Sequence, residues 1–366
     1  AMKLKTILTL LAALGILTAC NDDFFDQVPD DRITIEQVFQ RTSYSEKYLA
    51  TVYSYILNEA HRTSPIPWDP CSDDLDVTYD REDYNSYQIN LGNWSASSDY
   101  YEFWSHFYRG IRSATYFIQH IGSNQEMLDD PTRGPIVVEQ YKNEARFLRA
   151  YYYFCLMRLY GPVVLLGEGV ADFNDLALRE RDRNPWDECV DWVAEECRKA
   201  AADLPLTQPD SYLGRATKGV ALALRARLLL YAARPLFNGN PMYRNMTNAE
   251  GKYLFPQSYD ASKWTKAAEA ARDVLDLRQY ELIETGNPYV DWRAVFTQKW
   301  NRELIFGYQK TSYNWRVATI PLGVGGRAYG GVAITQKLVD AFAMDTEHGG
   351  RYPITGYQAD GSPVID

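Results

Sequence analysis

The sequence has no apolar run long enough to cross a lipid bilayer. A transmembrane helix needs about 20 consecutive, predominantly apolar residues. The apolar run from Ile7 to Leu17 is shorter than that, and polar or charged residues interrupt the apolar segments that follow it. The sequence therefore predicts no transmembrane helix.

Cysteine and histidine are scarce, and neither forms a metal or redox motif. The five cysteines include no C-x-x-C pair, and the four histidines are scattered without an H-E-x-x-H pattern. Zinc and thioredoxin-like motifs are therefore excluded. Cys155, Cys189 and Cys197 fall on apolar faces of helical patterns, which predicts buried thiols. The sequence indicates no metal and no cofactor.

Positive charge is in deficit. There are 38 Lys and Arg residues against 48 Asp and Glu, and the formal net charge is -10. An acidic chain is repelled by nucleic-acid phosphates, which argues against DNA or RNA as a partner. The glycine-rich stretch 323–331 lacks the preceding strand and following helix of a nucleotide-binding motif. It therefore does not predict a phosphate site.

The N-terminus carries the three parts of an export signal. Lys3 and Lys5 precede the apolar run, and small residues follow it up to Cys20. The sequence Leu17-Thr18-Ala19-Cys20 resembles a lipobox, in which the cysteine is acylated and becomes the first residue after cleavage. We expect residues 1–19 to be removed, Cys20 to carry the lipid anchor, and residues 20–42 to form a linker.

Helical periodicity dominates the rest of the chain. One amphipathic pattern runs from Val138 to Leu159 and stops at Gly161-Pro162, and another begins with Asn184 as N-cap and Pro185 at the first helical position. Six helices are predicted, at 43–60, 100–121, 138–159, 185–204, 217–234 and 262–277. Neighbouring pairs joined by short loops favour a mostly α architecture of stacked tetratricopeptide-like hairpins with little strand.

Arginines recur on the apolar faces of these helices. Arg146 and Arg149 lie between Tyr and Leu positions of one helix, and Arg225 and Arg227 lie in another. A guanidinium on a packed face needs a carboxylate partner. We predict that these arginines hold helices together rather than contact a ligand.

Two long segments, at about 62–98 and 287–331, have the composition of irregular structure. Both are rich in Pro, Gly, Asn, Asp and aromatic residues. Long ordered loops on a rigid scaffold usually carry function. We expect the ligand-binding residues in these two segments.

Several blocks of the sequence, in order, resemble one family. An acidic run, Asp22-Asp23-Phe24-Phe25-Asp26, follows Cys20. The later blocks are Glu144-Ala145-Arg146-Phe147-Leu148-Arg149-Ala150-Tyr151-Tyr152-Tyr153-Phe154, Leu159-Tyr160-Gly161-Pro162, Gly214-Arg215-Ala216-Thr217-Lys218-Gly219 and Asn301-Arg302-Glu303-Leu304-Ile305-Phe306. Together they resemble the SusD/RagB-like outer-membrane lipoproteins that bind nutrient glycans.

The resemblance implies a location, a partner and an extent. It implies a surface-exposed lipoprotein of the outer membrane that captures an oligosaccharide or other nutrient and delivers it to a SusC-like TonB-dependent transporter. Residues 43–366 would form the SusD-like helical domain, with a C-terminal portion missing. The loop before the Trp104 helix and the loop after a strand at Ile305 would contribute to the ligand site.

A sugar-binding surface combines flat rings with hydroxyl-bonding polar groups. Both loops contain that combination. In the first loop the candidate ligand-binding residues are Asp73, Asp74, Tyr84, Asn93 and Trp94, with Tyr87 nearby. In the second they are Tyr313, Asn314 and Trp315.

Two alternatives remain open at this point. The acidic residues between Asp69 and Asp83 supply the carboxylates that a lipid-anchored glycoside hydrolase would need. The EF-hand pattern fails in that run, because its glycine and distal glutamate are missing. Stacked helical hairpins also bind peptides, so a peptide-binding or structural lipoprotein is the second alternative.

Overall fold

The chain is built from twelve α-helices and a few short strands in the part that the structure describes. This computed structural model describes residues 34–57, 68–78, 80, 82, 84–98, 100–172, 174–308, 319–320, 330–342, 344–345, 351–352 and 354–365. The helices are α1 (Ile35–Val38), α2 (Thr42–Tyr53), α3 (Asn85–Asn90), α4 (Trp104–His120), α5 (Gln125–Leu128), α6 (Gly134–Tyr160), α7 (Leu176–Arg179), α8 (Trp186–Asp203), α9 (Lys218–Ala233), α10 (Ser262–Leu275), α11 (Pro288–Thr297) and α12 (Gln336–Asp340).

Strands occur only as two-stranded antiparallel pairs in the described ranges. The pairs are β1 (Leu75–Val77) with β2 (Val332–Ile334), β3 (Met344–Asp345) with β4 (Arg351–Tyr352), and β5 (Ile354–Tyr357) with β6 (Pro363–Ile365). The predicted mostly helical architecture with little strand is confirmed.

The longest helix, α6, organises the core. It packs against α4 on one side and α8 on another, and α9 packs between α8 and α10, so the long helices contact their neighbours along the chain. The predicted stripe of α6 is buried from Val138 to Cys155, because residues spaced three and four apart share one helix face. The helix ends at Gly161, as predicted.

Arginines pair with carboxylates within this helical stack. Arg149 of α6 is fully buried and bonds Glu168 at 2.7 Å and Glu196 of α8 at 2.5 Å. Arg215, before α9, bonds Glu144 of α6 at 2.7 Å. Arg225 of α9 pairs with Asp273 of α10 at 2.9 Å. The prediction that helix-face arginines pair with carboxylates is confirmed for Arg149 and Arg225.

Arg146 and Arg227 follow the same prediction less closely. The Nε of Arg146 lies 4.0 Å from the carboxylate of Glu196, at the limit of an ion pair. Arg227 lies over the ring of Phe154 at 5.7 Å, so an aromatic face takes the place of the predicted carboxylate.

Burial raises the pKa of the Cys189 thiol to about 12. Cys155, Cys189 and Cys197 are buried free thiols, as predicted.

The helix ends differ from the prediction where the backbone or a capping group intervenes. Helix α4 begins at Trp104 rather than residue 100, because Tyr101 has φ 54°. Helix α2 ends at Tyr53 rather than residue 60. Helix α8 begins at Trp186, with Pro185 in the capping position. Asn184 is not the N-cap, because its Oδ1 accepts the Leu165 amide at 2.9 Å.

Both segments predicted to be irregular contain regular structure. The first holds a 3₁₀ turn (Asp69–Cys71), β1 and α3. The second holds α11, whose N-terminus is capped by the Asn287 side chain, which accepts from the Tyr289 and Val290 amides. The strand expected at Ile305 is absent, since residues 301–308 carry only turns and irregular backbone.

Candidate functional site

The candidate ligand-binding residues of the first loop lie in described parts of the chain, and those of the second do not. Asp73, Asp74, Tyr84, Asn93 and Trp94 fall in 68–78 and 84–98. The predicted residues Tyr313, Asn314 and Trp315, and the predicted lipid-anchor residue Cys20, lie outside the described residues.

A long-range strand pair supports the first loop. Leu75, Asp76 and Val77 of β1 pair with Ile334, Ala333 and Val332 of β2. The ladder is extended at both ends, by the Thr78 amide donating to the Gly331 carbonyl at 3.1 Å and the Thr335 amide donating to the Asp74 carbonyl at 2.9 Å. The candidate loop is therefore held by a segment more than 250 positions further along the chain.

Asp73 is part of an exposed ion pair. Its carboxylate accepts a hydrogen bond from the Lys337 ammonium, and its carbonyl accepts one from the Thr335 hydroxyl. The hydrogen bond from Lys337 holds the pKa of Asp73 below its usual value. Asp73 is therefore a carboxylate that stays ionised, which suits a hydrogen-bond acceptor rather than a proton donor.

Tyr84 is buried by packing against neighbouring apolar residues. Its ring is only 3% exposed and lies in a small cluster with Val332, Leu75, Val77 and Tyr87. Such burial fixes the start of α3 against the β1–β2 pair. The predicted contact of Tyr84 with a ligand stays a prediction, while its packing role is visible directly.

Trp94 has the opposite environment. Its side chain is 61% exposed, just after the turn that ends α3. Gly92 in that turn has φ 75°, a conformation that glycine adopts without steric cost. The side-chain amide of Asn93 donates to the Gln88 Oε1 at 3.1 Å, and its backbone amide donates to the Gln88 carbonyl at 3.0 Å. The turn thus presents an indole ring beside a fixed amide.

Asn90 and Lys337, which the sequence did not single out, and Tyr87, which it did, complete this surface. Asn90 donates to the Pro70 carbonyl at 2.7 Å and to Asp76 at 3.2 Å, which ties α3 to the 3₁₀ turn. The Tyr87 hydroxyl donates to Asp80 at 2.7 Å, and this hydrogen bond raises the pKa of Tyr87. Lys337 joins from α12. No local pattern marks Lys337, because its partner is 264 positions away.

The described residues contain no group of three or more His, Cys, Asp or Glu side chains that could hold a metal ion. None of the described helices combines the length and apolarity that crossing a bilayer requires. What the described surface offers chemically is ring stacking and hydrogen bonding.

Comparison with known proteins identifies the fold and the family. The sequence model of the SusD-like family described as "Starch-binding associating with outer membrane" matches residues 23–230, more than half of the chain. A SusD-like protein of Formosa agariphila is 26% identical over 223 residues, which cover 61% of this chain and 41% of that protein. The chain thus spans about two fifths of the length of this relative.

Solved structures show the same architecture. A SusD-like protein from Bacteroides fragilis is 26% identical, with a TM-score of 0.69 over 91% of this chain and 58% of that one. Surface glycan-binding protein A from Bacteroides fluxus shares the fold at 19% identity, with a TM-score of 0.56 over 87% of this chain and 66% of that one. With the family match over the helical core, the chain belongs to the SusD-like family.

Proposed function

We propose that this protein binds oligosaccharides through the surface that carries Trp94, without cleaving them. The observation that carries the proposal is the Trp94 ring, which is 61% exposed in a turn fixed by hydrogen bonds from Asn93 to Gln88. An exposed indole suits the apolar face of a pyranose, and neighbouring amides and carboxylates suit its hydroxyls. Membership of a family described as starch-binding supports a sugar as the ligand.

Replacing Trp94 by alanine is expected to weaken oligosaccharide binding at least about tenfold, which corresponds to a loss of about 1.4 kcal/mol of binding free energy. Exposed tryptophans at a binding surface commonly contribute at least this much. Calorimetry with maltooligosaccharides measures the affinity, and a glycan array extends the test to other sugars. Maltooligosaccharides come first because the family is described as starch-binding. The matched control is Trp264→Ala, which removes another exposed indole, on α10. Equal affinity of Trp94→Ala and wild type for every bound sugar contradicts the proposal.

Glycoside hydrolysis is the alternative that the acidic loop raises. A glycosidase needs one carboxyl group with a raised pKa as proton donor and a second one nearby. The hydrogen bond from Lys337 lowers the pKa of Asp73, which is the wrong direction for a donor. Release of shorter products from a labelled glycan by wild type, lost in Asp73→Asn or Asp74→Asn, would overturn the binding-only proposal.

We further propose that the protein acts at the cell surface, held in the outer membrane by a lipid on Cys20, and passes its ligand to a TonB-dependent transporter. The lipobox-like sequence before Cys20 and the family description, "associating with outer membrane", support this location. Tagged protein purified from its native membrane is expected to copurify with a SusC-like transporter, and a Cys20→Ala variant is expected not to. If wild type and the Cys20→Ala variant are both recovered without a transporter, the proposed partnership is wrong.

A further inference from the structure

A pocket lies between the first turns of α4 and the connection that follows α6. Its volume is about 450 Å³, within the usual range for small-ligand sites. Residues of α4, the stretch 164–166, the end of α7 and the residues just after it line the pocket, among them Trp104, Tyr108, Arg109, Val164, Arg179 and Arg181. The pocket is separate from the Trp94 surface, because it is not lined by any of the first-loop residues Asp73, Asp74, Tyr84, Asn93 and Trp94.

The apolar wall of this pocket is rigid. The Tyr108 hydroxyl donates to the Val164 carbonyl at 2.9 Å and accepts from the Val164 amide at 3.1 Å. Trp104 packs against Tyr108 with ring centroids 5.0 Å apart and against Tyr160 at 5.2 Å. The wall is therefore preformed, and binding does not require it to reorder.

The charge of the pocket runs against the charge of the chain. Three arginines line it and, of the described residues that do so, none is acidic, although Asp and Glu outnumber Lys and Arg in the sequence by 48 to 38. Arg183, which does not line the pocket, places a further guanidinium 5.3 Å from the Trp104 ring. Positive charge concentrated beside an apolar wall raises the local concentration of anions.

The guanidinium of Arg109 is available for a ligand. Arg149, Arg215 and Arg225 each bond a carboxylate within 3 Å. Arg109 is exposed and, within the described residues, makes no hydrogen bond, ion pair or ring contact. Arg181 donates one hydrogen bond, to the Leu165 carbonyl at 3.2 Å, and a guanidinium has five N–H donors.

We propose that this pocket binds the anionic group of an acidic saccharide, a carboxylate or a sulfate ester, with Arg109 and Arg181 as its ligands. Guanidinium forks match the geometry of both anions, and the Trp104–Tyr108 wall fits the apolar part of a sugar ring. The proposal rests on the proposed function for its ligand class. It predicts that this protein prefers acidic to neutral glycans.

Calorimetry of the full chain with three oligosaccharides tests the pocket: a neutral maltooligosaccharide, an oligogalacturonate and a sulfated oligosaccharide. The Arg109→Gln/Arg181→Gln variant is expected to bind at least one of the acidic sugars about tenfold more weakly or worse, with neutral-sugar affinity unchanged. Arg244→Gln, which removes an exposed charge after the Pro241–Tyr243 turn, is the matched control and is expected to match wild type. The single variant Arg109→Gln repeats the test with one exposed side chain changed.

The outcomes separate this proposal from the proposed function. A loss for the uronate alone assigns the carboxylate, and a loss for the sulfated sugar alone assigns the sulfate. If acidic sugars bind wild type and the arginine variant equally while Trp94→Ala weakens binding, the pocket proposal fails and the proposed function stands. If acidic sugars bind wild type and Trp94→Ala equally but bind the arginine variant more weakly, the Trp94 surface fails and the pocket stands. If neither acidic sugar binds wild type, the acidic-saccharide assignment is overturned.

Discussion

Replacing Arg149 by methionine is expected to lower the free energy of unfolding by about 3–5 kcal/mol. Arg149 is fully buried, and its guanidinium bonds Glu196, which is 1% exposed, and Glu168. Methionine removes the closest partner of the buried Glu196 carboxylate and leaves it only Lys199 at 3.5 Å and Arg146 at 4.0 Å, and a buried charge that loses its main partner is strongly destabilising. Urea unfolding followed by circular dichroism measures the change.

Two further variants make the Arg149 test specific. Arg149→Met/Glu196→Leu removes both charges, so it is expected to recover most of the lost free energy of unfolding. Arg198→Met breaks an exposed pair with Glu195 on the same helix as Glu196 and is expected to cost less than about 1 kcal/mol. Equal costs for Arg149→Met and Arg198→Met would show that the buried pair is not what holds α6 to α8.

Replacing Trp186 by alanine is expected to cost about 3–5 kcal/mol of the free energy of unfolding. The indole at the start of α8 is 1% exposed and stacks on Phe237, with ring centroids 4.0 Å apart. Phe255 lies beside both rings, 6.4 Å from the Trp186 ring centroid and 6.3 Å from that of Phe237, so alanine would open a cavity in an aromatic cluster. Thermal and urea unfolding measure the loss.

Phenylalanine at position 186 is the matched control. It keeps a ring for stacking and removes an indole N–H that is buried without a hydrogen-bond partner in the described structure. Because removing an unsatisfied donor offsets part of the lost contact area, Trp186→Phe is expected to cost far less than Trp186→Ala. Similar losses for the two variants would mean that stacking on Phe237 contributes little.

Helical periodicity was sufficient to predict the core. The α6 stripe could be recognised because its buried residues recur every three or four positions over about five turns, and tertiary packing reinforced that pattern. Helix α11 was missed for a different reason. Asn287 and Pro288 form the same cap-and-proline signal that was used at Asn184 and Pro185, but the segment around them has the composition of a loop. In this segment the capping signal indicated the helix correctly, and the amino-acid composition did not.

The candidate site could be predicted only in part, because ring exposure depends on distant residues. Tyr84 and Trp94 are both aromatic residues in the same segment, yet the first is 3% exposed and the second is 61% exposed. Val332 on β2 covers Tyr84, and no pattern near residue 84 reveals that strand. The pocket lined by Arg109 and Arg181 was not predicted either, because these two residues come together only when the connection after α6 folds onto α4.

The β1–β2 pair also determines when the candidate surface can form during folding. Its hydrogen-bonded partners are separated by about 260 positions, whereas α4, α6, α8, α9 and α10 pack mainly against neighbours along the chain. Contacts between near neighbours in sequence form early, and closing a long loop delays a distant contact. During synthesis the helical stack can therefore assemble first, and the surface around Trp94 matures only after β2 has been made.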